Sequence, residues 1–473
     1  MSPKEDWVSE TLPTVELNPH DVAGWAAQPF ETTLSLSAAE IEDVQLQALK
    51  QRFEHLRPGV AALDALATRQ GVDKIESFED GLPLLFDHRV YKSYPISVVE
   101  KRQFDRLTKW LRRLTTHDVT AIPLDGVTNV DSWLERLDEH GMIMSHSTGT
   151  TGKLSFFPRS RSEWSAWRDS FFEATRAASG VDRRTEALPT FYPGYRDGHQ
   201  TGTKMQRIFG ELSAEGEEGR YCLYEHARSA DLLSLAARLR TAEERGELDT
   251  LDIDPKVLEE RAKLIELGRN REQDLERWFT KLAEEFRGQR VRVTGVTADL
   301  IQLALKGREN GLKCEFAPGS VLFTSGGMKG FKDVPDDWED VLRDFFGIER
   351  LSSIYSMTES ISYAPICNAG YYHWFPHTIP LLLDADGNLL PREGVQTGRF
   401  AFFDLLPESY WGGFITSDRI TMHWDEDCGC GWKAPRLERN ITRFSELEGG
   451  DDKITCAGTE QAYSEFMNYV SSI

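Results

Sequence analysis

Small and hydroxyl-bearing residues, Ser147-Thr148-Gly149-Thr150-Thr151-Gly152-Lys153, separate two short apolar runs, Met142-Ile143-Met144 and Leu154-Ser155-Phe156-Phe157. The pattern reads as a loop joining two strands. Glycines let backbone N–H groups approach an anion closely, the hydroxyls add donors, and Lys153 adds positive charge. That is the chemistry of holding a triphosphate. The Walker loop is excluded, because it needs Gly at 147 and Ser or Thr at 154, where this chain has Ser147 and Leu154. By itself the segment fits either a phosphate grip or an ordinary Thr/Gly turn.

A chain of 473 residues can bury a large core and is long enough for roughly two to four domains or subdomains. Hydrophobic residues make up 40% and charged residues 28%, the balance of a folded globular protein rather than a disordered one. A net charge of −22 argues against a nucleic-acid or anionic-membrane partner, since either needs a basic surface. A local basic site inside an acidic shell stays compatible with it. The start, Met1-Ser2-Pro3-Lys4-Glu5-Asp6, lacks the basic and apolar parts of a secretory signal. No apolar run approaches the roughly 18 residues of a membrane span. Six cysteines are too sparse for a disulfide scaffold. Together these features predict a cytoplasmic protein.

Residues 1–140 read as mainly helical. Phe104, Leu107, Trp110, Leu111 and Leu114 recur at helical spacing and form one apolar face. Ser160-Arg161-Ser162-Glu163 matches a capping box, opening a helix that buries Trp164, Trp167 and Phe171. Residues 141–395 alternate short apolar runs with helical ones, which predicts an α/β core. Within it, the aromatic and turn-rich segment 191–204 reads as a surface loop or as a pocket wall. A charge-dense stretch over about 213–287 reads as a helical insertion. Residues 396–450 read as a small β subdomain of short strands and turns.

Four further segments carry chemistry. Ser325-Gly326-Gly327 closes a strand and lets a flat base lie against backbone. Tyr355-Ser356-Met357-Thr358-Glu359 ends another strand with a ring, a hydroxyl and a carboxylate, suited to stacking, phosphate contact and Mg²⁺ ligation. Thr416-Ser417-Asp418 offers a carboxylate for the two hydroxyls of a ribose, and Arg443 precedes Asp451-Asp452-Lys453 in a Gly449-Gly450 context. Each segment alone also fits a structural turn.

In this order, with the Ser/Thr-Gly loop first, the segments resemble the adenylate-forming acyl ligase superfamily. Residues 147–153 and Asp451-Asp452-Lys453-Ile454-Thr455-Cys456-Ala457-Gly458 look most like its phenylacetate–CoA ligase branch. The resemblance spans about residues 140 to 460. It implies an α/β fold, the large N-terminal domain of these enzymes, with mixed sheets packed with helices plus a small β subdomain.

A second constellation is built on cysteine. Cys367 and His373, with Cys428-Gly429-Cys430 downstream, make a complete Cys₃His set, which suits a closed, structural zinc site. The branch carries a similar arrangement. Two unrelated reduced cysteine sites are the other reading, and His377 is a rival imidazole. His146, beside the loop, reads as a packed histidine rather than a base.

The resemblance further implies activation of a carboxylic acid by attack on the α-phosphorus of ATP, with pyrophosphate released and an acyl-adenylate held. Ser147, Thr148, Gly149, Thr150, Thr151, Gly152 and Lys153 then grip the β- and γ-phosphates. Ser325, Gly326, Gly327, Tyr355 and Met357 line the adenine, and Thr358 touches the α-phosphate. Glu359 and Thr150 serve Mg²⁺, Asp418 the ribose, and Arg443 the ribose or phosphate. Thr358, Glu359 and Lys153 are the catalytic candidates, and Asp451 and Asp452 the hinge. Aromatics at Phe191, Tyr192, Tyr195, Tyr363 and Tyr371 lean towards an aryl or aryl-like acid. The acceptor implied by the branch is CoA, with a carrier-protein thiol, an amine or a protein cysteine such as Cys456 as alternatives.

Two departures stand out. The family continues past the hinge into a small mobile domain carrying a lysine that stabilises the adenylation transition state, whereas residues 451–473 supply only the hinge and one helix. Arg443 also lies further from Asp451 than in the family pattern. A nucleotide-binding subunit that needs a partner to supply the missing domain is therefore the alternative to a complete enzyme, and a zinc hydrolase is a third reading.

Overall fold

The computed structural model describes residues 16–147, 153–182, 186–211, 216–246, 255–328, 334–425, 427–433, 435–444 and 459–472. Of the residues singled out above, Thr148, Gly149, Thr150, Thr151, Gly152, Asp451, Asp452 and Cys456 lie outside this set.

The N-terminal part carries helices α1 (Val22–Ala27), α2 (Ala38–Leu56), α3 (Ala61–Gln70), α4 (Phe78–Gly81), α5 (Ile96–Glu100), α6 (Phe104–Leu111) and α7 (Val130–Glu139). On α6 the apolar stripe turns inward, with Leu107, Trp110 and Leu111 fully buried. A hairpin follows, β1 (Met142–His146) antiparallel to β2 (Phe156–Ser160), with Ser145 opposite Phe157. Helix α8 (Arg161–Ser179) opens on the capping box: Ser160 Oγ accepts from Glu163 N–H, and Glu163 Oε2 accepts from Ser160 N–H. Trp167 and Phe171 on it are fully buried, while Trp164 is only partly covered.

The central sheet contains β3 (Thr190–Gly198), β4 (Arg220–Arg228), β5 (Arg292–Val296), β6 (Val321–Ser325), β7 (Leu351–Tyr355) and β8 (Ala364–Pro365). Its order is β4-β3-β5-β6-β7-β8, parallel throughout except for β8. The connecting helices are α9 (Thr201–Glu211), α10 (Ala230–Arg245), α11 (Pro255–Glu285), α12 (Thr297–Glu309) and α13 (Trp338–Phe346). Both faces are covered. Leu322 joins the core under α11, α12 and α13, whereas Phe323 faces the opposite side, its ring 5.7 Å from Phe209 of α9. This explains the continuous apolar runs of the strands. The chain moves one way from β3 to β4 and the other way from β5 onward, so the order reverses between β3 and β5. In such sheets ligands bind beyond the carboxyl ends of the strands at the reversal.

Two boundaries differ from the sequence reading. Segment 191–204 is not a loop but strand β3 and the start of α9; register shifts between Tyr192 and Tyr195 absorb Pro193 and Gly194. The stretch read as a helical insertion from about 213 contains β4, whose Cys222 and Tyr224 face inward while Glu225-His226-Ala227 are exposed. Charge on the outer end of an edge strand imitated a solvated helix.

A second sheet holds β9 (Tyr372–His373), β10 (Thr378–Leu383), β11 (Val395–Asp404), β12 (Gly413–His423), β13 (Arg436–Leu437) and β14 (Thr442–Arg443). It runs β10-β11-β12-β13-β9, with β14 also on β12. It therefore begins at residue 372, ahead of the boundary read at 396. Helix α14 (Glu460–Ser471) buries Tyr463, Phe466 and Val470 in the main core. Phe466 stacks on Phe86 at 5.5 Å, Asp87 N–H donates to Tyr463 Oη at 3.0 Å, and the Arg113 guanidinium lies 4.8 Å from the Tyr469 ring. Read from sequence as the start of a separate C-terminal domain, this helix is docked on the large body. Among the described residues no helix is long and apolar enough to cross a membrane.

Phe466→Ala is expected to lower the global unfolding free energy by about 3–5 kcal/mol, measured by urea denaturation. A helix merely tethered to the body would leave the midpoint unmoved.

Candidate nucleotide site and a cysteine–histidine cluster

The end of β1 meets the reversal point of the central sheet. His146 N–H donates to His199 O at 3.0 Å, just past the end of β3. At the loop's neck, Ser147 N–H donates to Ser155 O at 3.1 Å, and Ser155 N–H to Ser147 Oγ at 3.0 Å. The Lys153 ammonium donates to Lys92 O at 3.0 Å and to Tyr94 O, and lies 4.8 Å from the Tyr94 ring. Burial, helped by Lys92, pulls its pKa down to about 8. Lys153 is thus held by backbone carbonyls at the foot of the loop.

Residues far apart in sequence meet where the end of β7 reaches the middle of β12. Tyr355 Oη donates to Asp418 Oδ2 at 2.6 Å, and Arg443, opposite Asp418 across the β12–β14 pair, brings its Nε to 3.8 Å from Oδ1. Burial, then Asp418, pushes the Tyr355 phenol well up, so it stays a donor. Gly326 and Gly327, after Ser325 at the end of β6, have φ of 72° and 60°, a conformation that favours glycine.

Met357, Thr358 and Glu359 lie in the turn after β7, closed by Ser360 N–H donating to Met357 O at 3.3 Å. Burial and then Asp418 hold the Glu359 carboxyl above its usual range. Two residues absent from the sequence reading hold this turn. Asp404 Oδ2 accepts from Ser360 Oγ at 2.7 Å and Ile361 N–H at 2.8 Å, and its Oδ1 from Ser362 Oγ at 2.6 Å. Arg159 donates to the carbonyls of Thr358, at 2.5 Å, and Ser360, at 3.3 Å. The one local signal for Asp404 was a carboxylate inside the apolar run Phe402-Phe403-Asp404-Leu405-Leu406.

The aromatic candidates divide. Phe191 is fully buried among Tyr221, Phe286 and Phe316, with ring centroids 5.1–5.9 Å away. Tyr363 is buried with its Oη accepting from Trp167 Nε1 and its ring 5.3 Å from Phe171. Both rings are enclosed by core packing. Tyr192 and Tyr195 are only partly buried. The Tyr195 ring lies 4.8 Å from Tyr224, with the Arg228 guanidinium 5.5 Å above it. Arg228 in turn donates to Gln200 Oε1 at 2.5 Å. Tyr371 instead packs beneath the Arg436 guanidinium at 4.8 Å.

Cys367, His373, Cys428 and Cys430 converge, their ligand atoms within 4.8 Å of one another. Cys428 Sγ is 3.9 Å from Cys367 Sγ, 2.9 Å from Cys430 Sγ and 3.4 Å from His373 Nε2, and Cys430 Sγ is 3.4 Å from the same nitrogen. Zinc bonds of about 2.3 Å to sulfur and 2.0–2.1 Å to nitrogen place tetrahedral ligands about 3.5–3.8 Å apart, so this donor set fits the ion. Trp432 stacks on His373 at 5.2 Å. His377 stands elsewhere, buried with its Nδ1 2.9 Å from Ser362 Oγ.

His146 is fully buried, with Nδ1 bonded to Ser147 O at 2.8 Å and, among the described residues, no hydrogen-bond partner for Nε2. Burial holds its pKa down at about 4, against 6.5 for the free side chain. The unfolded chain therefore binds a proton here between about pH 6.5 and 4 while the folded state does not. Stability falls as pH drops through that window, by at most about 1.4 kcal/mol per pH unit. His146→Gln is expected to flatten this acid-side slope in urea unfolding measured from pH 7 to 4; an unchanged slope would mean the imidazole protonates within the fold.

Neither protein-family models nor curated proteins match the sequence. Solved structures do. One of 2-hydroxyisobutyryl-CoA ligase in the postadenylation state with an acyl-AMP bound superposes with a TM-score of 0.54 at 14% identity, over 94% of this chain and 76% of that one. An open conformation of the ligase, with 2-HIB-AMP and CoA, gives 0.52 at 13% identity, over 87% and 72%. The chain has the fold of the adenylate-forming acyl–CoA ligases.

Proposed function

We propose that this protein uses ATP to convert a carboxylic acid to an acyl-adenylate with release of pyrophosphate, and then passes the acyl group to a thiol, with CoA as the leading acceptor. The observation that carries this reading is the meeting of Tyr355, Asp418 and Arg443 beside the Thr358–Glu359 turn, in a chain with the fold of ligases solved with acyl-AMP. The nucleophile comes from the acid, so the protein's task is positioning and charge compensation. The loop of Ser147 to Lys153 takes the β- and γ-phosphates, Ser325 to Gly327 with Tyr355 and Met357 the adenine, and Asp418 the ribose hydroxyls. Thr358 meets the α-phosphate. Glu359 and Thr150 hold Mg²⁺, which offsets phosphate charge. Arg443, already paired with Asp418, lies where it adds a cation to the nucleotide, and Asp451 and Asp452 form the hinge. Tyr192 and Tyr195 support an aryl or aryl-like acid.

The Cys₃His cluster is assigned to structural zinc. Four protein ligands leave no position for a substrate, and the ion clips β9 to the segment after β12.

Carboxylate-dependent ATP–pyrophosphate exchange across a panel of acids is the test. Exchange is expected with at least one aryl acid, and its absence for every acid overturns the reading. Asp418→Ala is expected to weaken ATP binding at least about tenfold, or about 1.4 kcal/mol; unchanged affinity removes its ribose role. Cys428→Ser is expected to lower zinc content and melting temperature together. Lost activity at full stability would count against a structural ion.

A further inference from the structure

Arg159 is fully buried, on β2, and forms no ion pair among the described residues. Its guanidinium lies 4.4 Å from the Trp167 ring, with Phe157 and Tyr410 at 5.6 and 5.8 Å. Removing an arginine's charge from water without a carboxylate partner is costly, and an apolar side chain of similar volume would fill such a space more favourably. The contacts show what the charge is used for. One terminal nitrogen donates to Ser145 Oγ, two residues before the loop begins at Ser147. The other donates to Thr358 O and Ser360 O, the carbonyls on either side of Glu359. A planar fork reaches both directions at once, whereas the single ammonium of a lysine does not.

The two segments joined this way belong to different sheets. Asp404 grips the far half of the same turn through Ser360 Oγ and Ile361 N–H. The near half, with Thr358 and Glu359, meets the hairpin through Arg159. Its positive charge also lowers the Glu359 carboxyl against the burial that raises it.

We propose that Arg159 is a positioning residue that sets Thr358 and Glu359 against the end of β1 at Ser145–Ser147, so that the α-phosphate contact and the Mg²⁺ ligand are held in one geometry. This rests on the nucleotide reading above. The side chain acts through the backbone of the turn.

The test uses the full chain and an acid that supports exchange in the wild type. Arg159→Gln is expected to lower the exchange kcat about 100-fold, the scale of an ångström-level misplacement, and to raise the half-saturating Mg²⁺ concentration several-fold. Arg159→Lys, which keeps the charge but not the fork, is expected to recover part of kcat. A purely structural role would lower the folded fraction and leave the Mg²⁺ half-saturation of the remaining enzyme unchanged, and that result overturns the proposal. So do variants with wild-type kcat and Mg²⁺ dependence. If both arginine variants fail to fold, Ser145→Ala, which releases only one arm, is expected to raise the Mg²⁺ half-saturation by itself; no shift overturns the proposal. A wild type that neither exchanges with any acid nor binds Mg-ATP overturns the functional reading and this inference together. Exchange by the wild type with unaltered variants overturns this inference alone.

Discussion

One buried carboxylate joins the two large sheets. Asp404 ends β11, and from there it accepts from Ser360, Ile361, Ser362 and Leu406. A carboxyl this deep is tolerated because its acceptor positions are filled, and its pKa is raised by burial while those bonds pull the other way. The turn it grips follows β7 of the central sheet and carries Thr358 and Glu359. An apolar residue at 404 would leave the turn's N–H groups buried without partners, which costs more than the carboxylate does. The placement of the Thr358–Glu359 turn against the second sheet depends on this hub, alongside the Tyr355–Asp418 bond.

Around it the acidic chain concentrates cations where the proposed substrates carry negative charge. Lys153, Arg159 and Arg443 all border the candidate site, although the net charge is −22. Each is restrained by the fold: Lys153 by two carbonyls, Arg159 by two carbonyls and a hydroxyl, Arg443 by its register opposite Asp418. Groups held in advance lose little freedom when a ligand arrives, so their electrostatic contribution is retained.

What was legible in the sequence was local. The capping box at Ser160 and Glu163, the apolar face of α6 and the strand runs either side of the loop depend on residues within one turn or one hairpin. The thiol pair at Cys428 and Cys430 is local in the same way. Inner and outer aromatics were not separable, because composition does not reveal which face of a strand Phe191 occupies or what covers Tyr363. β4 was hidden by the charge on its outer half. Arg159 and Asp404 were missed for a different reason. Their partners lie 199 and 44 residues away, and nothing near either one predicts those distances.

The placement of Arg443 is set by cross-strand register rather than by linear spacing. Its distance in sequence from Asp451 departs from the family pattern, which put its role in doubt. The β12–β14 pairing sets Asp418 directly opposite Arg443, and Tyr355 meets the same carboxylate from the end of β7. Cross-strand register fixes which side chains share a face, whatever the length of the connection that follows. In the function proposed above, the groups that meet a ribose and its phosphates are therefore placed by the register inside the sheet.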